Sequence, residues 1–148
     1  MYVGLALAPR TAYNLKRKLA ANPTPRDVPG LAALANEVTY EGSASHKRNP
    51  GDFGLAPPFG PRTHKTLCDD AGIANKSVAE ALLREGVRRG MVSAQVRGKW
   101  PQNVWAVTEV GVALEAVLGN PERGHYHGYP MPANDPFRET ILARWNGL

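Results

Sequence analysis

One short segment of the chain carries residue types that could cleave RNA without a metal ion. Tyr40 and Glu41 are followed closely by His46, Lys47 and Arg48. Such cleavage needs a base to deprotonate the 2′-hydroxyl, an acid to protonate the leaving oxygen, and cations to neutralise the charge that develops on phosphorus. These five residues include a group for each role, so the segment is a candidate catalytic site.

The same segment has a second interpretation, as a basic loop that contacts phosphate or an acidic partner without chemistry. It opens a long stretch, residues 41–64, whose glycines and prolines rule out a regular element. Apolar residues in that stretch, Phe53 among them, argue against disorder because they tend to anchor a loop. The string YEGSASHKRNPG resembles the Tyr-Glu and His-Lys segments of small bacterial ribonuclease toxins, which implies a toxin or defence effector.

Other candidate sites are less complete. His125 and His127 would share one side of a strand and could bind a metal ion, but the sequence offers no third ligand nearby, which favours ordinary surface histidines. Asp69 and Asp70 are adjacent and would point in different directions on a helix. The single cysteine, Cys68, provides neither a disulfide nor a thiolate cluster. We therefore predict no cofactor and no metal site.

The elements expected to position these groups centre on one amphipathic helix, residues 77–89. Its predicted buried face is apolar and its opposite face is charged. The apolar face comprises Val78, Ala79, Leu82, Leu83 and Val87, and the charged stripe comprises Lys76, Glu80, Arg84 and Arg88. Asn75 or Ser77 is placed to cap the start of the helix, and Gly90 to end it.

Flanking segments complete the pattern of a winged helix. A short helix is expected before the main one, at residues 66–71, and a final helix after it, at residues 109–118. Two β-rich runs between them, residues 91–97 and 104–108, predict a hairpin whose tip is a wing. The order helix, turn, helix, hairpin, helix is that of a winged helix-turn-helix.

Residues 65–118 also resemble bacterial winged helix-turn-helix DNA-binding proteins in detail. In those proteins glycines punctuate the end of the second helix, as Gly86 and Gly90 do here, and the second wing strand runs into a Thr-Glu-x-Gly helix start, matched by Thr108, Glu109 and Gly111. The resemblance implies that helix 77–89 enters the major groove of DNA while the wing contacts phosphate or the minor groove.

Docking of that kind defines a set of candidate nucleic-acid-binding residues. They are Asn75, Lys76, Ser77, Glu80, Arg84 and Arg88 on the helix, Arg97, Lys99 and Trp100 on the wing, and Lys47 and Arg48 in the loop. Glu80 would repel phosphate. It is therefore expected to pair with Lys76 or Arg84, four residues away on either side, rather than to accept a hydrogen bond from a cytosine amino group.

The two ends of the chain are expected to add helices. Residues 11–21 predict a basic helix, either a phosphate-facing arm or a packed helix with a solvated face, and residues 27–37 predict a second helix. Near the C-terminus Asp135 should cap a last helix with Pro136 in its first turn. The apolar face of that helix either covers the N-terminal helix or forms a homodimer interface.

The composition of the chain limits the fold and function classes to which it can belong. A chain of 148 residues with 43% hydrophobic residues is typical of one folded domain. A net charge of +5 favours a polyanionic partner. No signal peptide and no apolar run of membrane-spanning length is evident. We therefore expect a soluble cytoplasmic protein without a membrane partner.

Together these features predict a single α+β domain, mostly helical. Its parts are N-terminal helices at 1–40, a long basic loop at 41–64, a winged-helix unit at 65–118, and a C-terminal loop and helix at 119–148. The predicted function is nucleic-acid binding, with double-stranded DNA preferred over RNA, as a regulator or as the DNA-contacting part of a larger assembly. The alternatives are a metal-independent ribonuclease of toxin or defence type that uses residues 40–48, and a winged-helix protein–protein adaptor.

Overall fold

The computed structural model describes residues 17–21, 30–42, 50–55, 67, 71–73 and 75–147. The helices in these ranges are α1 (Gly30–Glu37), α2 (Lys76–Arg88) and α3 (Phe137–Asn146). The strands are β1 (Thr39–Tyr40), β2 (Val96–Arg97), β3 (Trp100–Pro101), β4 (Asn103–Val107), β5 (Ala113–Asn120) and β6 (His125–Pro130). No helix in the described part of the chain is long and apolar enough to cross a membrane.

Four strands form one curled, mixed sheet in the order β1-β6-β5-β4. β1 runs parallel to β6, whereas β6, β5 and β4 are successively antiparallel. β2 and β3 form a separate two-stranded hairpin. Helix α2 packs on one face of the sheet against β4 and β1, α1 packs against α2, and α3 packs against β4 and β5.

The central helix α2 agrees with the sequence prediction to within a residue at each end. Asn75 caps it, since the Asn75 side-chain oxygen accepts a hydrogen bond from the backbone N–H of Val78 at 3.0 Å. Its buried face includes Ala79, Leu83 and Val87, which pack in the core shared with α1 and the sheet. The prediction of Val78 on that face is wrong, because Val78 is 40% exposed. The helix therefore forms where its apolar stripe meets β4 and α1.

The predicted final helix at residues 109–118 is wrong, because this segment forms a turn followed by the long strand β5. Thr108 and Val112 close a hairpin turn, in which the Thr108 hydroxyl accepts the backbone N–H of Val112 at 3.0 Å. Gly111 takes a positive φ of 87° within that turn, so the Thr-Glu-x-Gly sequence reverses the chain instead of starting a helix.

β5 can be apolar at successive positions because it is a central strand covered on both faces. Leu114, Ala116 and Leu118 face the core under α2, whereas Ala113 joins the cluster under α3. A strand buried on both faces loses the period-2 alternation that marks a half-exposed strand. The residue pattern of such a strand is therefore easily mistaken for that of a short helix.

The predicted hairpin between the runs 91–97 and 104–108 is present, because Val92 forms an antiparallel bridge with Val104 and the backbone N–H of Ser93 donates to the carbonyl of Asn103 at 2.9 Å. Its role as the wing of a winged helix is wrong. Arg97 pairs with Trp100 across a tight turn at Gly98, which has a φ of 64°, so β2 and β3 form their own small hairpin. The second β-rich run is β4, which pairs with β5 in the main sheet. The chain is thus an α+β protein with a four-stranded sheet at its centre. Neither a mostly helical fold nor a winged helix-turn-helix describes it.

Several N-terminal predictions fall wholly or partly outside the described residues. These are the helix at 11–21 up to residue 16, the start of the helix at 27–37, most of the helix at 66–71 and most of the loop at 41–64. Within the described part, Leu19 forms an antiparallel bridge with Ser93, so residues 18–21 are extended and not helical. Phe53 ends a short 3₁₀ turn and is buried with its ring against Tyr40, at 5.5 Å between centroids.

A buried ion-pair network joins the N-terminal segment to the sheet and to α3. The guanidinium of Arg17 donates to both oxygens of Glu115, at 3.0 and 3.3 Å, and to both oxygens of Asp135, at 3.0 and 2.6 Å. Arg17 is only 1% exposed. Burial alone would lower the pKa of Arg17, but the hydrogen bonds and charges of Asp135 and Glu115 raise it above its ordinary value.

The predicted C-terminal helix is confirmed as α3. Asp135 accepts the backbone N–H of Phe137 at 3.0 Å, as expected of a residue at a helix start. The apolar face packs inside the chain, where Phe137 lies edge-on to Trp105 at 5.3 Å and Ile141 is fully buried. This face covers the sheet, and a homodimer through α3 stays a prediction.

Substitution of Gly86 by alanine tests how closely α2 approaches the sheet. A Cβ atom at Gly86 would lie 2.3 Å from the backbone oxygen of Trp105, so we expect Gly86→Ala to destabilise the protein by roughly 1–3 kcal/mol. In a helix that faced solvent the same change would stabilise by about 1 kcal/mol. Urea unfolding of Gly86→Ala beside Gly30→Ala checks the sign, because a Cβ at Gly30 meets no atom within 4 Å. A stabilised Gly86→Ala variant would contradict this packing.

Candidate functional site

The face of the sheet opposite α1 and α2 carries a cluster of ionisable side chains at its β1–β6 end. Along β6 burial alternates, so that Tyr126 is buried under the helices while His125 and His127 lie on the other face, half-buried. Thr39 of β1 is in register with His125, and the chain continues directly into Glu41. Parallel pairing therefore brings a carboxylate from one strand beside two imidazoles from its neighbour.

The closest contact in this cluster is between Glu41 and His125. A carboxylate oxygen of Glu41 lies 3.5 Å from Nδ1 of His125, with side chains that are 57% and 27% exposed. Glu41 is held in place by its backbone, because its N–H donates to the carbonyl of Tyr126 at 2.7 Å. The pair is thus accessible to a ligand and fixed by the strand ladder.

His127 occupies a space that the irregular part of β5 leaves for it. The register of β5 and β6 shifts between Leu118 and Asn120, which leaves Gly119 as an extra residue in a β-bulge. A Cβ at Gly119 would lie 3.3 Å from Nδ1 of His127. The absence of a side chain at Gly119 therefore makes room for the imidazole.

The environment of His127 favours its neutral form. Burial lowers the pKa of His127 below its ordinary value, and the negative charge of Glu41 opposes that shift without cancelling it. A neutral imidazole has a free nitrogen that accepts a proton. His127 is thereby suited to act as a base near neutral pH.

The ion-pair network of Arg17, Glu115 and Asp135 lies on the sheet face that carries the histidines, next to His127. Tyr129, two residues after His127, donates its hydroxyl to Glu115 at 2.9 Å, and the amide of Asn103 also donates to Glu115 at 3.0 Å. Glu115 in turn binds Arg17. These bonds fix β4, β5 and β6 relative to each other, so the histidines stand on a rigid part of the sheet.

The catalytic residues predicted from sequence separate into three groups. Glu41 belongs to the cluster. Tyr40 does not, since it is buried on the other face with its hydroxyl donating to the carbonyl of Gly128 at 3.3 Å and accepting the N–H of Gly128 at 3.2 Å. His46, Lys47 and Arg48 lie outside the described residues.

Sequence reasoning set His125 and His127 aside as surface residues. Their spacing does predict a shared strand face, but the third group, Glu41, is distant in sequence and is brought in by a parallel strand pair. A parallel partner cannot be read from local spacing. Among the described residues no group of three or more His, Cys, Asp or Glu side chains is arranged to hold a metal ion.

The charged stripe of α2 faces the chain itself more than solvent. Glu80 accepts the backbone N–H of Tyr40 at 3.0 Å, and Arg84 donates twice to the carbonyl of Val38 at 3.2 Å. Glu80 and Arg84 also pair at 3.5 Å, so Arg84 is the partner among the two that the sequence left open. Arg88 is exposed but pairs with Glu85 at 3.1 Å. These contacts occupy groups that a DNA-reading helix would need for bases and phosphates.

The remaining predicted nucleic-acid-binding residues belong to the start of α2, to the β2–β3 hairpin and to the 41–64 stretch. Asn75, Lys76 and Ser77 are exposed at the start of α2, where the side-chain oxygen of Asn75 is used for capping. Arg97 and Lys99 are exposed in the β2–β3 hairpin, whereas Trp100 is buried. Lys47 and Arg48 lie outside the described residues.

Three concave spaces in the described part of the chain are lined by residues of α2, the sheet and the turn after β4. A cavity of about 30 Å³ between α2 and the sheet has room for a water molecule and not for a substrate. Two larger grooves, of about 480 and 460 Å³, lie between α2 and the turn after β4 and share Leu82, Thr108 and Glu109. The histidines line none of these three spaces, and the Glu41 and His125 side chains are partly exposed.

Comparison of the chain with protein-family models, with curated proteins and with solved structures finds no match in any of the three.

Replacement of Glu41 tests the electrostatics of the cluster. Because the charge of Glu41 raises the pKa of His127, Glu41→Gln should lower that pKa further. Titration of the His127 ring signals by NMR measures the shift directly. Glu139→Gln, which removes an exposed carboxylate on α3, is the matched control and should leave the titration unchanged. An unchanged or raised His127 pKa in Glu41→Gln would show that the two groups do not interact.

Proposed function

We propose that this protein is a metal-independent ribonuclease whose base and acid are His127 and His125, with Glu41 as a positioning residue for His125. One observation carries the proposal: a carboxylate and two imidazoles share an accessible sheet face, with Glu41 3.5 Å from His125 and with the pKa of His127 lowered by burial. General acid–base catalysis requires one group that accepts a proton and a second that donates one.

The two histidines take complementary roles in this proposal. His127, held neutral by burial, accepts the proton of the ribose 2′-hydroxyl, and the 2′-oxygen attacks the adjacent phosphorus. His125, in its protonated form, donates a proton to the departing 5′-oxygen. The bond between phosphorus and the 5′-oxygen breaks as the bond to the 2′-oxygen forms, so the products are a 2′,3′-cyclic phosphate and a 5′-hydroxyl.

A carboxylate oxygen of Glu41 lies 3.5 Å from Nδ1 of His125. That contact leaves Nε2 of His125 to serve as the proton donor. The carboxylate orients the imidazole in the same way that acidic residues orient catalytic histidines elsewhere. Glu41 is therefore a positioning residue for His125, and its replacement should weaken cleavage less than replacement of either histidine.

The choice of RNA over DNA follows from the nucleophile. In the proposed mechanism the base activates the ribose 2′-hydroxyl, which lies next to the phosphorus it attacks, and DNA lacks that hydroxyl. Duplex DNA binding and a protein–protein adaptor role stay predictions, although the winged-helix fold that motivated both is absent. The cytoplasmic location expected from sequence is likewise part of the proposal.

The deciding experiment is cleavage of a fluorescent single-stranded RNA in excess chelator, by wild type and by His125→Gln, His127→Gln and Glu41→Gln. We expect wild type to yield a 2′,3′-cyclic phosphate. Each histidine variant should lose about 100-fold or more in rate, the usual contribution of a general acid or base. A substrate with one 2′-deoxyribose at the cleaved position should resist cleavage.

The control for this assay is Glu139→Gln, which should cleave at the wild-type rate. Thermal unfolding of every variant confirms that rate losses do not arise from misfolding. Absence of cleavage by wild type between about pH 5 and about pH 9 would refute the proposal. Full activity in both histidine variants would refute the assigned site. Cleavage of the 2′-deoxy substrate would refute the mechanism.

A further inference from the structure

The two larger grooves join into one space beside α2, because they share Leu82, Thr108 and Glu109. We call this combined space the α2 groove. Val78 lines one end of it and Arg89 lines the other, so the groove follows α2 for about 16 Å. Its opposite wall is the turn between β4 and β5. A groove of this length matches about three turns of a second helix.

The end of the α2 groove near the start of α2 is apolar and exposed. Val78 and Val110 line it, and they are two of the three large hydrophobic side chains that are exposed in the described part of the chain, at 40% and 82%. The sequence predicts Val78 and Leu82 on the apolar face of α2, yet Leu82 is only partly buried. The apolar side of α2 is therefore wider than the surface that the sheet covers. Exposed apolar side chains that cluster in this way mark a protein-binding surface.

The C-terminal ends of α2 and α3 meet at the other end of the groove. Arg89 follows the last residue of α2, and Trp145 and Asn146 are the last two residues of α3. All three line this end of the groove. The C-terminal end of a helix carries a partial negative charge, which attracts cations. Two such ends side by side favour a positively charged group of a ligand over a negatively charged one.

The arginines near this end are engaged within the chain. The guanidinium of Arg89 donates to Glu85 at 2.9 Å and lies 3.9 Å from the centre of the Trp145 ring. Arg144 does not line the groove, and its guanidinium donates to the carbonyl of Ala20 at 3.4 Å. Neither arginine is therefore placed to neutralise a second carboxylate of the groove.

Glu109 is that second carboxylate. It is exposed and lines both halves of the groove. It forms no ion pair with a described residue, whereas Glu85 pairs with both Arg88 and Arg89. Although the whole chain has a net charge of +5, the groove thus complements a ligand that carries a cation next to an apolar surface.

The walls of the groove favour a helical ligand over an extended one. An extended peptide binds by adding a strand to a free sheet edge, whereas an amphipathic helix places apolar side chains at i, i+4 and i+7 into a groove. One wall here is a helix. The other is a turn whose backbone is bonded internally, since the N–H of Thr108 donates to the carbonyl of Val112 at 3.0 Å and the N–H of Gly111 donates to the carbonyl of Thr108 at 2.9 Å.

We propose that the α2 groove binds an amphipathic helix of a partner protein, about three turns long, with an apolar stripe and a Lys or Arg residue that pairs with Glu109. The apolar stripe packs against Val78, Leu82 and Val110. This interaction is independent of the proposed ribonuclease function, because no residue of the histidine cluster lines the groove.

The test uses a fluorescein-labelled helical peptide of about 14 residues as the probe. It carries Leu at i, i+4 and i+7 on a background of Ala and Gln, with Lys in its first and last turns, so that either direction of binding brings a cation to Glu109. Fluorescence anisotropy measures its affinity for the full chain. We expect the wild type to bind this peptide, and to bind a peptide with Glu in place of each Lys at least about fivefold more weakly.

Replacement of Val110 tests the apolar end of the groove. Val110→Glu should lower the affinity for the peptide about tenfold or more, because binding would bury a carboxylate against the Leu stripe. Val96→Glu is the matched control, since Val96 is 55% exposed and lines neither half of the groove, and it should bind as the wild type does. Thermal unfolding confirms that both variants fold. Equal affinities of the two variants would overturn the proposal.

Replacement of Glu109 tests the charge. Glu109→Gln should lower the affinity about two- to fivefold, the usual contribution of an exposed ion pair, and the loss should shrink as salt rises. Glu122→Gln removes an exposed carboxylate from the β5–β6 turn and changes the net charge equally, so it should leave the affinity unchanged. An equal loss in both variants would show a general effect of net charge and no site at Glu109.

Sedimentation of the wild type tests whether a second copy of the chain fills the groove instead. A stable dimer needs about 800 Å² from each copy, far more than a footprint about 16 Å long and one helix, about 10 Å, wide. We therefore expect a monomer. A dimer that Val110→Glu dissociates would overturn the proposal, and so would the absence of peptide binding by the wild type at about 1 mM.

Discussion

The buried Arg17 is the interaction on which most of the structure depends. Its guanidinium bridges Glu115 at the centre of the sheet and Asp135 at the start of α3, so one side chain ties three distant parts of the chain together. Removal of one partner from such a network costs roughly 3–5 kcal/mol, because the remaining charge is left without compensation in a low dielectric. The N-terminal segment, β5 and α3 are therefore mutually dependent.

The same network constrains the candidate site. Glu115 accepts hydrogen bonds from Tyr129 and Asn103 as well as from Arg17, which fixes the register of three strands on the face that carries the histidines. The bulge at Gly119 then makes room for His127, and the parallel strand β1 delivers Glu41. Rigid strands position an acid–base pair more accurately than a loop does, which suits groups that must meet a phosphate within hydrogen-bond distance.

The main errors of the sequence interpretation share a physical cause. The sequence of residues 113–118 resembles that of a helix because a strand buried on both faces shows no alternation of apolar and polar residues. The sequence from Thr108 to Gly111 resembles a helix start because the same residue types favour helix caps and turns. Arg17 was assigned to a basic helix, although it is buried between two carboxylates far away in the chain. Local patterns do not reveal partners that are distant in sequence.

What the sequence by itself determined are the elements whose signals are local. These are α2 with its Asn75 cap, α3 with Asp135 at its start, the Glu80–Arg84 pair and the anchoring of Phe53. Only the tertiary structure decided the four-stranded sheet, the burial of Arg17 and the meeting of Glu41 with His125 and His127. Helix caps and i,i+4 pairs act within a few residues, whereas strand pairing and charge burial depend on which distant segments share a core.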